Sequence, residues 1–311
     1  MPDKSLPKVY FAPLEGITTR VYRDTHRKHF PGTERYYTPF LAANQTHHFK
    51  KREQRDLLPF QEDLVPQILT ASGKDFIWAA GYIRSLGYEE VNLNLGCPYP
   101  TVFTKGKGAG MLADTDKLKR FFEEIFSASG LPFVSVKTRI GVRDPEEGER
   151  LAEIFAAYPI SEVIIHPRVR EEYYEGEVHR DVFDAMRKVI RCPVCYNGDI
   201  RTAKDADALS EILSPEISAV MIGRGLIADP SLARQISGGK ASSNAELKLF
   251  LIELWEAYRE VLYGERDVLF KMKELWHYMG TRFPEKERTL LDIKKSKTES
   301  EYREAINKVF E

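Results

Sequence analysis

The sequence predicts an α/β fold, a (β/α)8 barrel of the TIM type with an all-helical domain appended at its C-terminus. Three observations carry that reading. Eight short runs rich in Val, Ile, Leu and aromatic residues recur up to residue 237, amphipathic stretches separate most of them, and the remainder has helical periodicity without a strand candidate. At 311 residues the chain is long enough for one large domain and one small one.

The strand candidates are Val9–Ala12, Arg35–Thr38, Leu64–Leu69, Val91–Leu95, Phe133–Lys137, Glu162–His166, Val194–Asn197 and Ala219–Ile222. Helices are expected over Thr18–His29, Lys74–Ser85, Thr115–Ala128, Pro145–Tyr158, Arg180–Ile190 and Thr202–Leu213. Asn44–Arg55, after the second strand, has few apolar residues and predicts only a turn or a short helix. Eight strands alternating with helices match a closed parallel barrel better than an open sheet. The small, flexible residues of Ser237–Ser243 mark a boundary, giving a β/α barrel over 1–237 and a helical domain over 244–311. In that second part Leu247, Leu251, Leu254, Tyr258 and Leu262 recur at helical spacing. No repeat beyond the β/α alternation is visible, which argues against a solenoid.

Composition narrows the class. Hydrophobic residues at 42% and charged residues at 30% are those of a folded globular protein. No apolar run approaches the roughly 18 to 20 residues a bilayer span needs, and the start MPDKSLPKVYFAP lacks a signal-peptide core, so no membrane and a cytoplasmic location are expected. The 46 Lys and Arg balance 47 Asp and Glu, so any attraction to a polyanion must be local. Three cysteines, Cys97, Cys192 and Cys195, are too few for a disulfide framework and point to a reducing compartment.

In such a barrel the chemistry gathers at the C-terminal ends of the strands. These ends are polar here: Ala12-Pro13 after the first strand, Gln67 in the third, Asn94-Leu95-Gly96-Cys97-Pro98 after the fourth, Lys137-Thr138-Arg139 after the fifth. His166-Pro167-Arg168, Asn197-Gly198-Asp199 and Gly223-Arg224-Gly225 follow the sixth, seventh and eighth. Gly198, Gly223 and Gly225 beside Arg224 suit a phosphate, because backbone N–H groups approach closely and Arg adds charge. Gln67, Asn94, Lys137 and His166 offer amide, ammonium and imidazole groups to a flat heteroaromatic ring such as an isoalloxazine. An unpaired ammonium inside a barrel is costly, which makes Lys137 the hardest of these to read as mere core.

Five segments, Ala12-Pro13-Leu14-Glu15-Gly16, Asn94-Leu95-Gly96-Cys97-Pro98, Lys137-Thr138-Arg139-Ile140-Gly141, Asn197-Gly198-Asp199-Ile200 and Gly223-Arg224-Gly225, together resemble the tRNA-dihydrouridine synthases. The resemblance runs in order from residue 9 to the end. It implies an FMN-containing β/α barrel with a helical C-terminal domain, NADPH as reductant, tRNA as partner and Cys97 as general acid. It carries Lys137, His166, Gly223 and Arg224 over to the flavin, and with the strand-end residues the expected flavin site is Ala12, Pro13, Leu14, Gln67, Lys137, His166, Asn197, Gly198, Asp199, Gly223 and Arg224. Asn94, Arg139, Arg168, Arg170 and Tyr174 are implied on the substrate side. No metal is expected, and a monomer is. The chain departs from the family at Pro167, where Gly is usual, and at Val169, where Thr is usual; Leu14 and Leu95 replace Met with little change in volume.

Reducing a uracil 5,6-double bond takes a hydride and a proton, and a reduced flavin supplies only the hydride. A thiol with an ordinary pKa near ~8.5 is protonated at neutral pH and serves as an acid without activation. The Gly-rich segment Tyr99–Gly110 reads as a mobile cover, with Lys105 and Lys107 placed to touch RNA phosphate. Cys192-Pro193-Val194-Cys195 leads into a strand rather than opening a helix, so Cys195 is expected as a small core residue on the face of Asn197. Two basic clusters stand out, Arg20, Arg23, His26, Arg27, Lys28 and His29, then His47, His48, Lys50, Lys51, Arg52 and Arg55. The tail adds Lys271, Lys273, Arg282, Lys286, Arg288, Lys294, Lys295 and Lys297, yet 244–311 holds 13 basic and 14 acidic residues, so RNA binding there requires a one-sided face. Three alternatives stay open: an FMN oxidoreductase of a free pyrimidine, similar to dihydroorotate dehydrogenase, a lyase in which Lys137 forms a Schiff base, and a catalytically idle RNA-binding barrel, against which Cys97 argues.

Overall fold

The computed structural model describes residues 7–213 and 217–311. Residues 1–6, part of the start read for a signal segment, lie outside the described residues. Ten strand segments, all parallel, form one sheet: β1 (Lys8–Phe11), β2 (Arg35–Tyr37), β3 (Leu41–Ala42), β4 (Leu64–Val65), β5 (Gln67–Leu69), β6 (Glu90–Leu95), β7 (Phe133–Gly141), β8 (Val163–Val169), β9 (Val194–Tyr196) and β10 (Ala219–Ile222). Two prolines explain why there are ten segments rather than eight. Pro39 lies between β2 and β3, and Pro66 separates β4 from β5, since proline has no N–H for the ladder.

Pairing closes the ring. β1 pairs with β10 and β2, β2 with β4, β3 with β5, β5 with β6, and the ladder continues through β7, β8 and β9 back to β10. Because β4 and β5 are one strand interrupted at a single residue, the sheet is a barrel of eight strands, as the alternation predicts. Tyr10, Ala12, Tyr37, Val65, Ile164, Cys195, Ala219 and Met221 fill a buried interior cluster. Cys195 is fully buried there, in its expected place on the core face.

Element limits differ from expectation where tertiary contacts override local pattern. The fifth barrel strand continues past Lys137 to Gly141 and the sixth runs through Pro167 to Val169, both ordered by pairing between β7 and β8. The weak stretch after the second strand forms a helix only over Lys51–Leu57; Glu53 fixes its start by accepting the Lys50 amide at 2.8 Å. Stronger helices carry side-chain caps: Ser72 accepts from Asp75 N before Gly73–Ser85, and Asp114 from Lys117 N before Thr115–Ser127.

The tail folds as helices Asn244–Val261, Glu265–Met279, Glu287–Lys295 and Glu299–Phe310. Its own core includes Trp255 stacked on Tyr302 at 5.2 Å and Trp276 donating to the Tyr302 hydroxyl at 2.9 Å. Phe250 then packs edge-on against Tyr22 and Phe30 of the barrel, at 5.8 and 5.1 Å, so one apolar core runs through both parts. No helix among the described residues is long and apolar enough to cross a membrane.

Candidate active site

At the C-terminal mouth of the barrel a cleft is lined by Ala12, Pro13 and Leu14 after β1, Gly96 after β6, and Lys137 and Arg139 on β7. His166, Tyr174, Asn197, Gly198, Asp199, Arg201, Gly223 and Arg224 complete its main walls. Strand register accounts for the convergence: Lys137 lies opposite Asn94, Arg139 opposite His166, and alternation turns Lys137 with Arg139 and His166 with Arg168 to the same face. Four cationic side chains, Lys137, Arg139, Arg201 and Arg224, line the cleft against one carboxylate, Asp199. That excess suits an anionic group.

The Lys137 ammonium makes no hydrogen bond or ion pair among the described residues, and burial with the nearby Arg139 charge lowers its pKa to about 8. His166 accepts from Arg168 Nη1 through Nε2 at 3.2 Å, which leaves its proton on Nδ1. Burial, reinforced by Arg139, Lys137, Arg168 and Arg224, holds the imidazole well below its usual range and therefore neutral. Asp199, at φ +38°, binds Arg168 Nη2 at 2.5 Å and Arg224 Nη2 at 2.9 Å. Burial opposes its charge, but the hydrogen bond and charge of Arg168, with Arg224 and Arg201, outweigh that and keep the carboxyl below its ordinary value. Asp199 thus fixes both Arg168 and Arg224, the latter within the Gly223–Gly225 turn. Gly225 has to be glycine, because a Cβ there would stand 2.2 Å from the Ile200 carbonyl; its absence lets the Gly223–Gly225 turn close on the Asp199 loop.

Cys97 is not itself in the cleft lining; it follows Gly96, which is, in a loop held from several directions. Asn94 Oδ1 accepts the amides of Gly96 and Cys97 at 3.1 and 3.0 Å, and the Cys97 carbonyl accepts from Ala109 at 3.1 Å. Arg139 Nε grips the Gly96 carbonyl at 3.0 Å, and Arg170 Nε grips that of Pro98 at 3.1 Å. A Cβ on Gly108, which has φ +56°, would meet the Cys97 Cβ and carbonyl at 2.9 Å, so only glycine lets that segment pass. Burial pushes the Cys97 thiol above its usual pKa, although the Tyr99 amide and the charges of Arg139 and Lys137 pull the other way. The thiol stays protonated.

Some residues expected in the site serve beneath it. Gln67 and Asn94 are buried and do not line the cleft; they belong to a side-chain relay in which Asn94 Nδ2 donates to Gln67 Oε1 at 2.7 Å, Gln67 Nε2 to Asn92 Oδ1 at 2.8 Å, and Asn92 Nδ2 to Ser135 Oγ at 3.0 Å. Asn92 and Ser135 were not among the predicted residues; period-two spacing from Asn94 and Lys137 is the signal that would have found them. Arg139 donates to the carbonyls of Gly96, Val169 and Tyr173, and Arg168 to those of Glu175 and Gly176 besides Asp199, so both guanidiniums are committed within the protein. Arg170 lies 4.3 Å over Phe103. Tyr174 does line the cleft, 6.0 Å from the His166 ring, with the Arg224 guanidinium 5.0 Å from its own.

Two other expectations change. The Tyr99–Gly110 segment folds as helix Pro100–Phe103 leading into a 3-10 turn from Gly108, and Gly108 and Ala109 are buried, so its far end belongs to the core. The first basic cluster is neutralised: Arg20 pairs with Asp24, Arg23 with Asp56, Arg27 with Asp63, Lys28 and His29 with Glu253, and His26 is buried between Tyr36 and the Pro230 carbonyl. Cys192 has its thiol pushed up to about 11 by burial, and no group of His, Cys, Asp and Glu suited to a metal ion occurs among the described residues.

A sequence profile described as "Dihydrouridine synthase (Dus)" matches residues 10–311. The chain is 27% identical over 302 residues to a "tRNA-dihydrouridine(16) synthase" of Aquipseudomonas alcaligenes, covering 89% of this chain and 92% of that one. It is 29% identical over 236 residues to a "Probable tRNA-dihydrouridine synthase" of Staphylococcus aureus, covering 72% and 70%. Among solved structures, morphinone reductase superposes with a TM-score of 0.54 at 12% identity over 76% of this chain and 87% of that one. A variant of NCR from Zymomonas mobilis superposes with 0.52 at 14% identity over 76% and 88%. These two likenesses establish the barrel fold.

Proposed function

The chain belongs to the dihydrouridine synthase family, and from that premise we propose that it reduces a uridine of tRNA to 5,6-dihydrouridine, with FMN as its flavin and NADPH as reductant. The observation that supports the reading is Cys97, a thiol that burial keeps protonated in a braced loop directly after Gly96, which lines a cleft rich in cations.

The residues present fit the cofactor. Lys137 is an unpartnered ammonium facing the cleft, His166 holds a proton on Nδ1, and Gly198, Gly223 and Arg224 supply close backbone and positive charge for a phosphate. Ala12, Pro13, Leu14 and Asn197 complete the wall, and Gln67 acts from below through Asn94. Bound there, the flavin supplies the hydride for one carbon of the uracil double bond. Cys97 Sγ–H delivers the proton to the other carbon, and Arg139 and Arg170 hold the loop so that the thiol meets the base. Tyr174 offers an aromatic face at the entrance to the extruded uridine.

RNA contacts away from the cleft fall to exposed cations. Lys294 and Lys295 at the end of Glu287–Lys295, and Lys297 just beyond it, are exposed and make no ion pair among the described residues, which supports them as the tRNA contacts of residues 244–311. The visible spectrum of the purified protein, followed by release and identification of the flavin, tests the cofactor assignment. FMN is expected; a colourless protein that binds no added FMN would remove it and revive the Schiff-base lyase.

A further inference from the structure

In the second basic cluster Lys50 and Lys51 make no ion pair among the described residues, and a stack of rings lies beside them. His47, in the turn that follows β3, lies on Trp78 with ring centroids 5.0 Å apart and planes 4° from parallel. Trp78 in turn stacks on Tyr82 at 6.0 Å and 16°, and Phe49 packs beneath at 5.0 Å from Trp78 and 5.7 Å from Tyr82. His47 has φ +48° and an Nε2 set 3.4 Å from Asp75 Oδ1. Asp75 is nearly buried, with 10% of its side chain exposed, and Trp78 covers one face of the ring while 46% of the His47 side chain faces solvent. A polar residue in left-handed backbone, stacked on Trp78, presents a half-exposed aromatic ring.

The surroundings match a polyanion. Residues 44–52 contain His47, His48, Lys50, Lys51 and Arg52 and no acid. His48, Lys50 and Lys51 are exposed, as is Lys74 beside Asp75, and none of them makes an ion pair among the described residues; Arg52 pairs with Glu15. The turn belongs to the barrel mouth: the Ala43 carbonyl accepts from Lys107 Nζ at 3.4 Å, on the segment that follows Cys97.

We propose that the outer face of the His47–Trp78 stack is a docking platform for an unpaired base of the same RNA, with His48, Lys50, Lys51 and Lys74 taking the adjoining phosphates. The inference rests on RNA being the substrate. Extruding one nucleotide leaves its neighbours unstacked, and an aromatic platform with cations around it is what compensates an unstacked base. A parallel stack already in place costs little to order when the base arrives.

The test measures equilibrium binding of unmodified tRNA to the full-length protein and its salt dependence. Loss of one base–aromatic stack is expected to weaken binding by roughly 5- to 100-fold in His47→Ala, with the salt slope and kcat at saturating tRNA unchanged. His47→Phe keeps a stacking ring and is expected within about twofold of wild type. The paired change Lys50→Ala with Lys51→Ala is expected to lower the salt slope by about one or two. Wild-type affinity in His47→Ala, or equal weakness in His47→Phe and His47→Ala, would overturn the platform. Unchanged thermal unfolding of the variants shows that they fold. If the wild type binds tRNA but makes no dihydrouridine, the reaction assignment fails while the binding data still decide the platform.

Discussion

The carboxamide oxygen of Asn94 accepts the backbone amide of Cys97 at 3.0 Å, and the same side chain is fixed at its other end by Gln67 at 2.7 Å. The acid is therefore braced from the floor of the barrel, through a relay that ends on Ser135.

Asn94→Ala should leave FMN content near wild type and lower kcat for uridine reduction by ~10- to 100-fold, because the thiol loses its bearing and not its acidity. Steady-state kinetics with tRNA and the flavin absorbance of the purified variant check both parts. The cut relay leaves Gln67 unsatisfied, at a stability cost of about 1–3 kcal/mol.

Lys137 gives a prediction with a definite sign. Its pKa in the fold is lowered to about 8 from 10.5, so between those values the unfolded chain binds more protons and stability rises with pH. The charged side chain destabilises the flavin-free protein fully below the folded value, and the penalty fades as pH rises toward the unfolded one. Lys137→Met should accordingly be more stable than wild type without flavin at neutral pH, by about 1–3 kcal/mol, with the gain vanishing in strong alkali. It should also purify with less FMN. Denaturation curves across pH read the first effect, absorbance the second.

Asp199→Ala releases Arg168 and Arg224 from one carboxylate. FMN should bind about tenfold more weakly, as expected when one charge-assisted anchor is lost. Since the Asp199 pKa is depressed, the wild-type clamp is present above the ordinary carboxylate range and is lost as pH falls through its folded value, so flavin retention should fail only in acid. Flavin fluorescence on release follows it.

Exposed lysines contribute little to stability, so Lys294→Glu, Lys295→Glu and Lys297→Glu together should leave thermal unfolding unchanged. They should weaken tRNA binding and flatten its salt slope by about two or three. Unaltered affinity and slope would make the tail a structural element only. Truncation at Ser243 is the poorer test, because it exposes Tyr22 and Phe30, which Phe250 covers.

The barrel and the cleft were legible in the sequence because both depend on short-range pattern. Alternation along β7 and β8 is enough to bring Lys137, Arg139 and His166 together, and the glycines after the last two strands announce a close turn. Partnerships were not legible, since they depend on which groups meet across the fold. Arg27 reads as a free cation until Asp63, far along the chain, lies 2.8 Å away. Arg139 reads as a substrate contact until three carbonyls surround its guanidinium. The His47–Trp78 stack joins a turn to a helix, and no local spacing signals it.

The central claim is that Cys97 protonates a uridine reduced in this cleft. The most direct measurement incubates FMN-loaded protein with NADPH and unmodified tRNA and determines by mass spectrometry whether a uridine gains two hydrogens, in wild type and in Cys97→Ala. The account predicts that gain in the wild type and nearly none in the variant, while the variant keeps its flavin and its reduction by NADPH. An equal yield of dihydrouridine from Cys97→Ala would contradict it.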